Sequence, residues 1–227
     1  MRQRSPRQSK RCDRDSLPLL RTSADRAAVQ VVALLAPDGA PVTWRRQLKL
    51  GTASRRAAAC VALGTRMRGR SALLLASILR RDLDAWVREQ AAWTLGMVGG
   101  TAAWRAVGRA LHTEAAPAVR AALWAAAARL GPLGEELEAL ALAAVVSGEP
   151  MEAVAATTAL RACAPARLLQ VGHVLSLHRV ADVRRAAVAA WEGLEGAQAA
   201  WASFSADPDA SVSALAHAYQ RHAAAAG

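Results

Sequence analysis

The stretch DAWVREQAAWTLGMVGG, residues 84–100, decides the fold of this chain. It begins with Asp84, a residue type that caps the start of helices. Apolar side chains then recur at helical spacing, at Val87, Ala91, Ala92, Leu95 and Val98. The pair Gly99 and Gly100 ends the segment, because two glycines do not prolong a helix. We therefore predict one helix of a repeating array.

The same pattern recurs at a step of 32 residues. Steps from Arg88 reach Arg56, Arg120, Glu152 and Arg184, and the residues three and four places further on are small or apolar in every copy. A fixed period of this length is typical of solenoids, in which no unit buries its apolar face alone. A weaker last unit begins at Asp207 and slips by about three residues, as capping units do.

Between these second helices the sequence predicts a first helix for each pair. Glycines mark one type of turn, and aspartates and prolines mark the other, so each pair is predicted to be a helical hairpin with short connections. Almost no Ile, Tyr or Phe occurs and no stretch alternates apolar and polar residues, so we expect an all-α protein. The predicted first helices are Ser71–Arg81, Thr101–His112, Leu133–Val146, Pro165–His178 and a short one at Ala197–Ser205.

The central unit matches the pattern D-x-x-V-R-x-x-A-A-x-x-L-G-x-x-G. This pattern resembles the HEAT-like repeats first associated with phycobilisome lyases, and the resemblance covers most of the chain, from Trp44 to His222. It implies a right-handed α-solenoid of about five HEAT-like helical pairs. It does not choose a function, because repeats of this type serve scaffolds, bilin lyases, a hydroxylase and DNA glycosylases.

Three parts follow from the composition along the chain. Residues 1–21 are basic and polar with almost nothing to bury, which predicts a disordered N-terminal arm. Residues 22–43 are predicted to form a capping helix from Ala24 to Ala36 and a turn rich in proline. Residues 44–227 are predicted to form the repeat region.

The formal net charge of +11 comes from the N-terminal third of the chain, since residues 1–81 carry +14 and residues 82–227 carry −3. A basic N-terminal third favours phosphates, anionic lipid or an acidic protein as partner. A coding bias toward arginine would explain the same numbers. The candidate basic patch consists of Arg45, Arg46, Lys49, Arg55, Arg56, Arg66, Arg68 and Arg70.

The arginine row has two interpretations. It could bind phosphates along one face, or it could be a structural ladder. We favour the ladder, because half-buried arginines normally need carboxylate partners and Asp84 lies one helical turn before Arg88. Glu152 breaks the row, and it either reverses a local pair or marks a functional position. The predicted ladder consists of Arg56, Arg88, Arg120 and Arg184.

Seven tryptophans accompany one tyrosine and one phenylalanine. Most of the tryptophans are expected to fill gaps between Ala-rich helices. Trp93 is different, because it lies in a variable slot that should face the concave surface, with Glu89 and Met97 one turn to either side. Together with Arg185, which occupies the slot of Glu89 in a later unit, these residues form the predicted partner-binding patch.

No catalytic or metal site is predicted. The five histidines include no pair at a spacing suited to a shared metal, and no histidine is followed by glutamate as in the HEAT-like hydroxylases. The cysteines form no CxxC pair, which favours a reducing cytoplasm, and no apolar run is long enough to span a membrane.

The predicted function is therefore a non-catalytic HEAT-like scaffold that binds another protein through its concave helix row and needs no cofactor. The first alternative is a nucleic-acid-binding protein that uses the basic N-terminal third. The second alternative, suggested only by the repeat type, is a bilin lyase-like chromophore attachment factor.

Overall fold

The computed structural model describes residues 41–226, which are all-helical and contain no β-strand. The predicted arm and the predicted helix Ala24–Ala36 lie outside the described residues. Within residues 41–226, no helix is both long and apolar enough to cross a bilayer. The helices are α1 (Pro41–Leu50), α2 (Ala53–Met67), α3 (Ala72–Arg81), α4 (Ala85–Val98), α5 (Gly100–Thr113), α6 (Pro117–Leu130), α7 (Glu135–Ser147), α8 (Pro150–Cys163), α9 (Pro165–Gln170), α10 (Gly172–Ser176), α11 (Ala181–Ala190), α12 (Ala197–Ala202) and α13 (Ala210–Ala226), with a 3-10 turn at Arg68–Ser71.

The helices form two layers. The second helices α2, α4, α6, α8, α11 and α13 contact one another in chain order. Each of them also contacts the helix that precedes it in its own pair, from α1 with α2 to α12 with α13. The core lies between the layers, where Leu75 and Leu111 of first helices and Leu95 and Leu123 of second helices are fully buried.

The predicted helix in the central stretch is α4, and the sequence explains its two ends. The Asp84 carboxylate caps it by accepting a 2.9 Å hydrogen bond from the backbone N–H of Trp86. At the other end Gly99 and Gly100 have φ angles of 74° and 83°, in the left-handed region that favours glycine. These angles turn the chain directly from α4 into α5.

Two glycines let neighbouring second helices approach closely. A Cβ atom on Gly64 of α2 would lie 2.0 Å from Cγ2 of Thr94 on α4. Thirty-two residues later in the sequence, a Cβ atom on Gly96 would lie 2.8 Å from Cα of Ala126 on α6. Both glycines therefore mark the same kind of helix contact, 30 residues before the residue that they touch.

One predicted first helix is broken. The segment predicted as a single helix, Pro165–His178, forms the short helices α9 and α10 on either side of Val171. The break lets the buried Gly172 lie against an indole ring, because a Cβ atom there would be 3.4 Å from Cζ2 of Trp191. Tertiary packing of this kind overrides helical periodicity.

Candidate partner-binding surface

Arginines of the second helices form ion pairs with carboxylates of the following turn. Arg56 donates from Nε and Nη2 to the two oxygens of Asp82, both at 2.8 Å. Arg88 has the same bidentate geometry with Glu114, at 2.8 and 2.9 Å. Both carboxylates lie 26 residues after their arginine. The partner of Arg88 therefore comes from the next unit.

The last ion pair has a shorter sequence separation, because the last unit is shifted by about three residues. Arg184 donates from Nε and Nη2 to Asp207 at 2.7 and 2.8 Å, and the separation is 23 residues instead of 26. The side chains are only 9% and 2% exposed. The hydrogen bond from Arg184 outweighs the effect of burial and holds the pKa of Asp207 below its usual value.

A third donor of each guanidinium binds the preceding turn. Nη1 of Arg88 donates to the carbonyl of Asp82 at 2.9 Å, and Nη1 of Arg184 donates to the carbonyl of His178 at 2.7 Å. Each arginine thereby connects the turn before its helix to the turn after it. Such charge-assisted, partly buried bonds are stronger than exposed ion pairs.

Glu152 supplies the carboxylate for Arg120. Nε of Arg120 donates to Oε1 of Glu152 at 2.6 Å, and the indole Nε1 of the buried Trp124 donates to the same oxygen at 3.3 Å. Glu152 is 5% exposed. The residue 26 positions after Arg120 is Val146, which has no carboxylate. Of the two alternatives left by the sequence, the structure shows a reversed pair.

The ladder arginines are therefore occupied by carboxylates and carbonyls. Asp84, which the spacing made available to Arg88, caps α4 instead. With their donors bound inside the fold, these arginines do not form a row of free cations along one face.

The predicted basic patch is divided between two ends of the first hairpin. Arg45, Arg46 and Lys49 of α1 are exposed and lie toward the end where Arg55 begins α2. Arg66 and Arg70 lie near the opposite end of α2, beyond about 16 Å of helix. The side chain of Arg68 is not among those that the structure describes. A continuous surface of all these cations is not present.

The stripe on α4 that carries the predicted patch reaches the surface. Trp93 is 38% exposed and Met97 is 41% exposed, while Glu89 is partly buried. Spacing of four residues places the three on one side of a helix that is otherwise largely buried. An indole and a thioether are thus partly exposed one helical turn apart on this helix.

Arg129 of α6 joins this stripe, although it was not among the residues predicted for the patch. Its guanidinium carbon lies 5.1 Å from the ring centroid of Trp93, which is a cation–π contact between neighbouring units. The 32-residue period could have identified it, because Arg129 lies 32 residues after Met97 and therefore occupies the equivalent position in the next unit. Ala125, in the slot of Trp93, is small and leaves room for the indole.

Arg185 does not join the patch. It lies on α11, and α6 and α8 separate α11 from α4 in the row of second helices. Its guanidinium forms an ion pair with Asp182 on its own helix. The candidate surface therefore consists of Trp93, Met97 and Arg129, with Glu89 at its edge.

The other large aromatic side chains serve the core. Trp124 and Trp191 are fully buried, and Trp191 meets Phe204 edge to face with ring centroids 5.2 Å apart. Trp201 stacks on Tyr219 and donates from its indole to the carbonyl of Val188 at 2.9 Å. Their burial separates them from the exposed Trp93.

The two cysteines of the described residues, Cys60 and Cys163, are held in a poorly reactive environment. Burial raises the pKa of the Cys60 thiol to about 12, and burial also raises the pKa of Cys163, whose Sγ contacts the carbonyl of Gly131 at 3.1 Å. In residues 41–226, no three side chains of the metal-binding types His, Cys, Asp and Glu come together.

Comparison with known proteins gives no relative. No family model, curated protein or solved structure matches the chain significantly.

Proposed function

We propose that this protein is a non-catalytic HEAT-like scaffold, a right-handed solenoid that binds another protein through the exposed face of its second helices. The observation that carries the proposal is the exposed indole of Trp93, held in place by the guanidinium of Arg129 from the next unit. A cytoplasmic location stays a prediction from the cysteines.

The chemistry of this surface suits a protein partner. Trp and Arg are the residue types that most often dominate the binding energy of protein interfaces, and Met adapts its shape to an apolar partner. The contact with Arg129 orders the indole before binding, which reduces the entropy lost on association. Trp93 would therefore be the anchor, and Met97 would extend the apolar contact.

The repeated contacts support the solenoid part of the proposal. The same glycine contact occurs between α2 and α4 and between α4 and α6, and the same ion pair occurs after α2 and after α4. Contacts that recur from unit to unit are what stacked repeats require.

The two alternatives have less support. For nucleic acid, the ladder arginines are occupied and the basic N-terminal residues fall into two groups, so a continuous track for phosphates is missing from the described part of the chain. For a bilin lyase, a cysteine or histidine beside a sheltered pocket would be needed. Cys60 lies in the core at 0% exposure, and His222, which lines a cavity of about 480 Å³ beside Trp201 and Tyr219, is exposed to solvent.

Affinity purification with three forms of the full chain tests the proposal. The forms are wild type, Trp93→Ala and a control, Leu73→Ala, whose side chain is 77% exposed on the other layer. We expect a protein that is retained by wild type and by the control and lost from Trp93→Ala. If quantitative mass spectrometry finds the same proteins on all three forms, the Trp93 surface is not the binding site.

A further inference from the structure

A second surface lies on the first-helix layer, in a groove between α1 and α3. Its volume is about 440 Å³. Positions 45, 48 and 49 of α1 and positions 74, 77, 78 and 81 of α3 line it, and the helical spacing places each set on one face of its helix. Every lining residue lies on α1, on α3 or, for Asp82, directly after α3. The groove is therefore separate from the Trp93 surface.

The rim of the groove is cationic. Arg45, Lys49 and Arg81 are all exposed, and none of the three has a carboxylate partner among residues 41–226. Asp82 also lines the groove, but both of its oxygens accept hydrogen bonds from Arg56. Three positive charges thus remain available to a ligand.

The floor of the groove is apolar. Leu48, Leu74 and Ile78 are half-buried there, and Ser77 is the only hydroxyl among the described lining residues. A ligand that fits has to offer carboxylates at its edges and aliphatic side chains in its middle.

From this combination we propose that the groove between α1 and α3 binds an acidic amphipathic peptide segment of a partner protein. Glutamates or aspartates of the segment pair with Arg45, Lys49 and Arg81. Its leucine-like side chains pack on Leu48, Leu74 and Ile78. The charge complementarity sets the direction and rate of association, and the apolar floor supplies the burial.

The floor is what favours a peptide over a nucleic acid. Phosphates along a nucleic-acid strand require a polar, cationic track, and single strands also require aromatic platforms for their bases. Among the described residues that line the groove there is no aromatic side chain, and three aliphatic side chains accompany the three cations.

Fluorescence anisotropy with the full chain tests the proposal. The probe is a labelled synthetic peptide of about twelve residues, in which pairs of leucine alternate with pairs of glutamate so that one helical face is apolar. A second peptide carries glutamine in place of every glutamate. A labelled single-stranded oligonucleotide of the same net charge is the third probe.

We expect the acidic peptide to bind, to weaken as salt is added, and to bind at least about tenfold more tightly than the glutamine peptide. The double variant Lys49→Gln/Arg81→Gln should weaken its binding about tenfold. Leu74→Gln should weaken it as well, without changing the charge. The matched control Arg105→Gln/Arg109→Gln, which removes two exposed cations from α5, should leave it unchanged.

The proposal is wrong if the acidic peptide does not bind wild type, or if the glutamine peptide binds equally well. It is also wrong if the α5 control weakens binding as much as Lys49→Gln/Arg81→Gln does, or if the oligonucleotide binds more tightly than the peptide. Circular dichroism confirms that each variant is folded. Trp93→Ala should bind the acidic peptide as wild type does, so a failure here is distinguishable from a failure of the proposed scaffold function.

Discussion

Glu152 accepts a 2.6 Å hydrogen bond from Arg120, although it occupies the position that arginine holds in the neighbouring units. In those units the carboxylate lies in the turn, at Asp82 or Glu114. In this unit the equivalent residue is Val146, near the end of α7, and the carboxylate lies instead on the second helix α8. The departure from the repeat pattern therefore preserves the ion pair.

Restoring the pattern at this position should destabilise the protein. Glu152→Arg places a second guanidinium beside Arg120 in a buried site and removes the acceptor of Trp124, so we expect the free energy of unfolding to fall by about 3 to 5 kcal/mol. Urea denaturation measures the change. The control Thr158→Arg introduces the same cation at an exposed position of α8 and should stay within about 0.5 kcal/mol of wild type. An equal effect at both positions would contradict the role assigned to Glu152.

The ion pair at the last unit should make stability depend on acid. Because the pKa of Asp207 is lower in the folded state than in the unfolded chain, the pair contributes its full stability above the ordinary Asp pKa of about 3.9. That contribution is lost as the pH falls through the lower, folded pKa. Urea denaturation between about pH 5 and pH 2.5 should show a shallower decline in Asp207→Asn than in wild type. Arg184→Gln should flatten the decline too, and unchanged slopes in both variants would refute the assignment.

A methyl group should have opposite effects at two helical glycines. Gly96→Ala would put Cβ 2.8 Å from the α6 backbone. We expect the free energy of unfolding to fall by about 1 to 2 kcal/mol, a net value that includes the gain in helix propensity. Gly108→Ala meets only Leu137 Cδ1, at 3.7 Å, and should stabilise the protein by about 0.5 to 1 kcal/mol. Thermal or urea unfolding of the two variants measures both changes in stability. Stabilisation by both would mean that α4 and α6 are not in close contact.

The start of α4 depends on one side chain. Asp84→Ala removes the acceptor of the Trp86 N–H and should cost about 1 kcal/mol. Asp84→Ser keeps an acceptor at the same place and should recover most of that loss. If the serine and alanine variants unfold at the same urea concentration, the carboxylate does not act as a cap.

The local features of the fold could be predicted from the sequence, and the partners of its polar groups could not. The central helix follows from Asp84, the apolar spacing and Gly99, because caps and periodicity act within a few residues. The carboxylate of Arg88 lies 26 residues away, so spacing along one helix pointed to Asp84 instead of Glu114.

Distance along the chain also decided which residues of the candidate surfaces could be predicted from the sequence. Trp93 and Met97 could be placed on one face from helix geometry alone, but the contact with Arg129 depends on how α4 and α6 pack. Arg81 was missed as a neighbour of Arg45 and Lys49 because the groove joins helices that are not consecutive. Long-range packing of this kind is set by tertiary structure.

Because Glu152 takes the position of an arginine, the helical pairs are not interchangeable, and deleting one of them has a different effect from deleting its neighbour. Deleting residues 99–130 would remove Glu114 but bring Glu152 one repeat after Arg88, where it can take over as the acceptor. Deleting residues 131–162 would instead bring Arg184 one repeat after Arg120, and the buried guanidinium would have no carboxylate. Shortening by recombination is therefore tolerated at one junction and blocked at the next, because α6 needs the carboxylate of α8, whereas α8 can follow α4 directly.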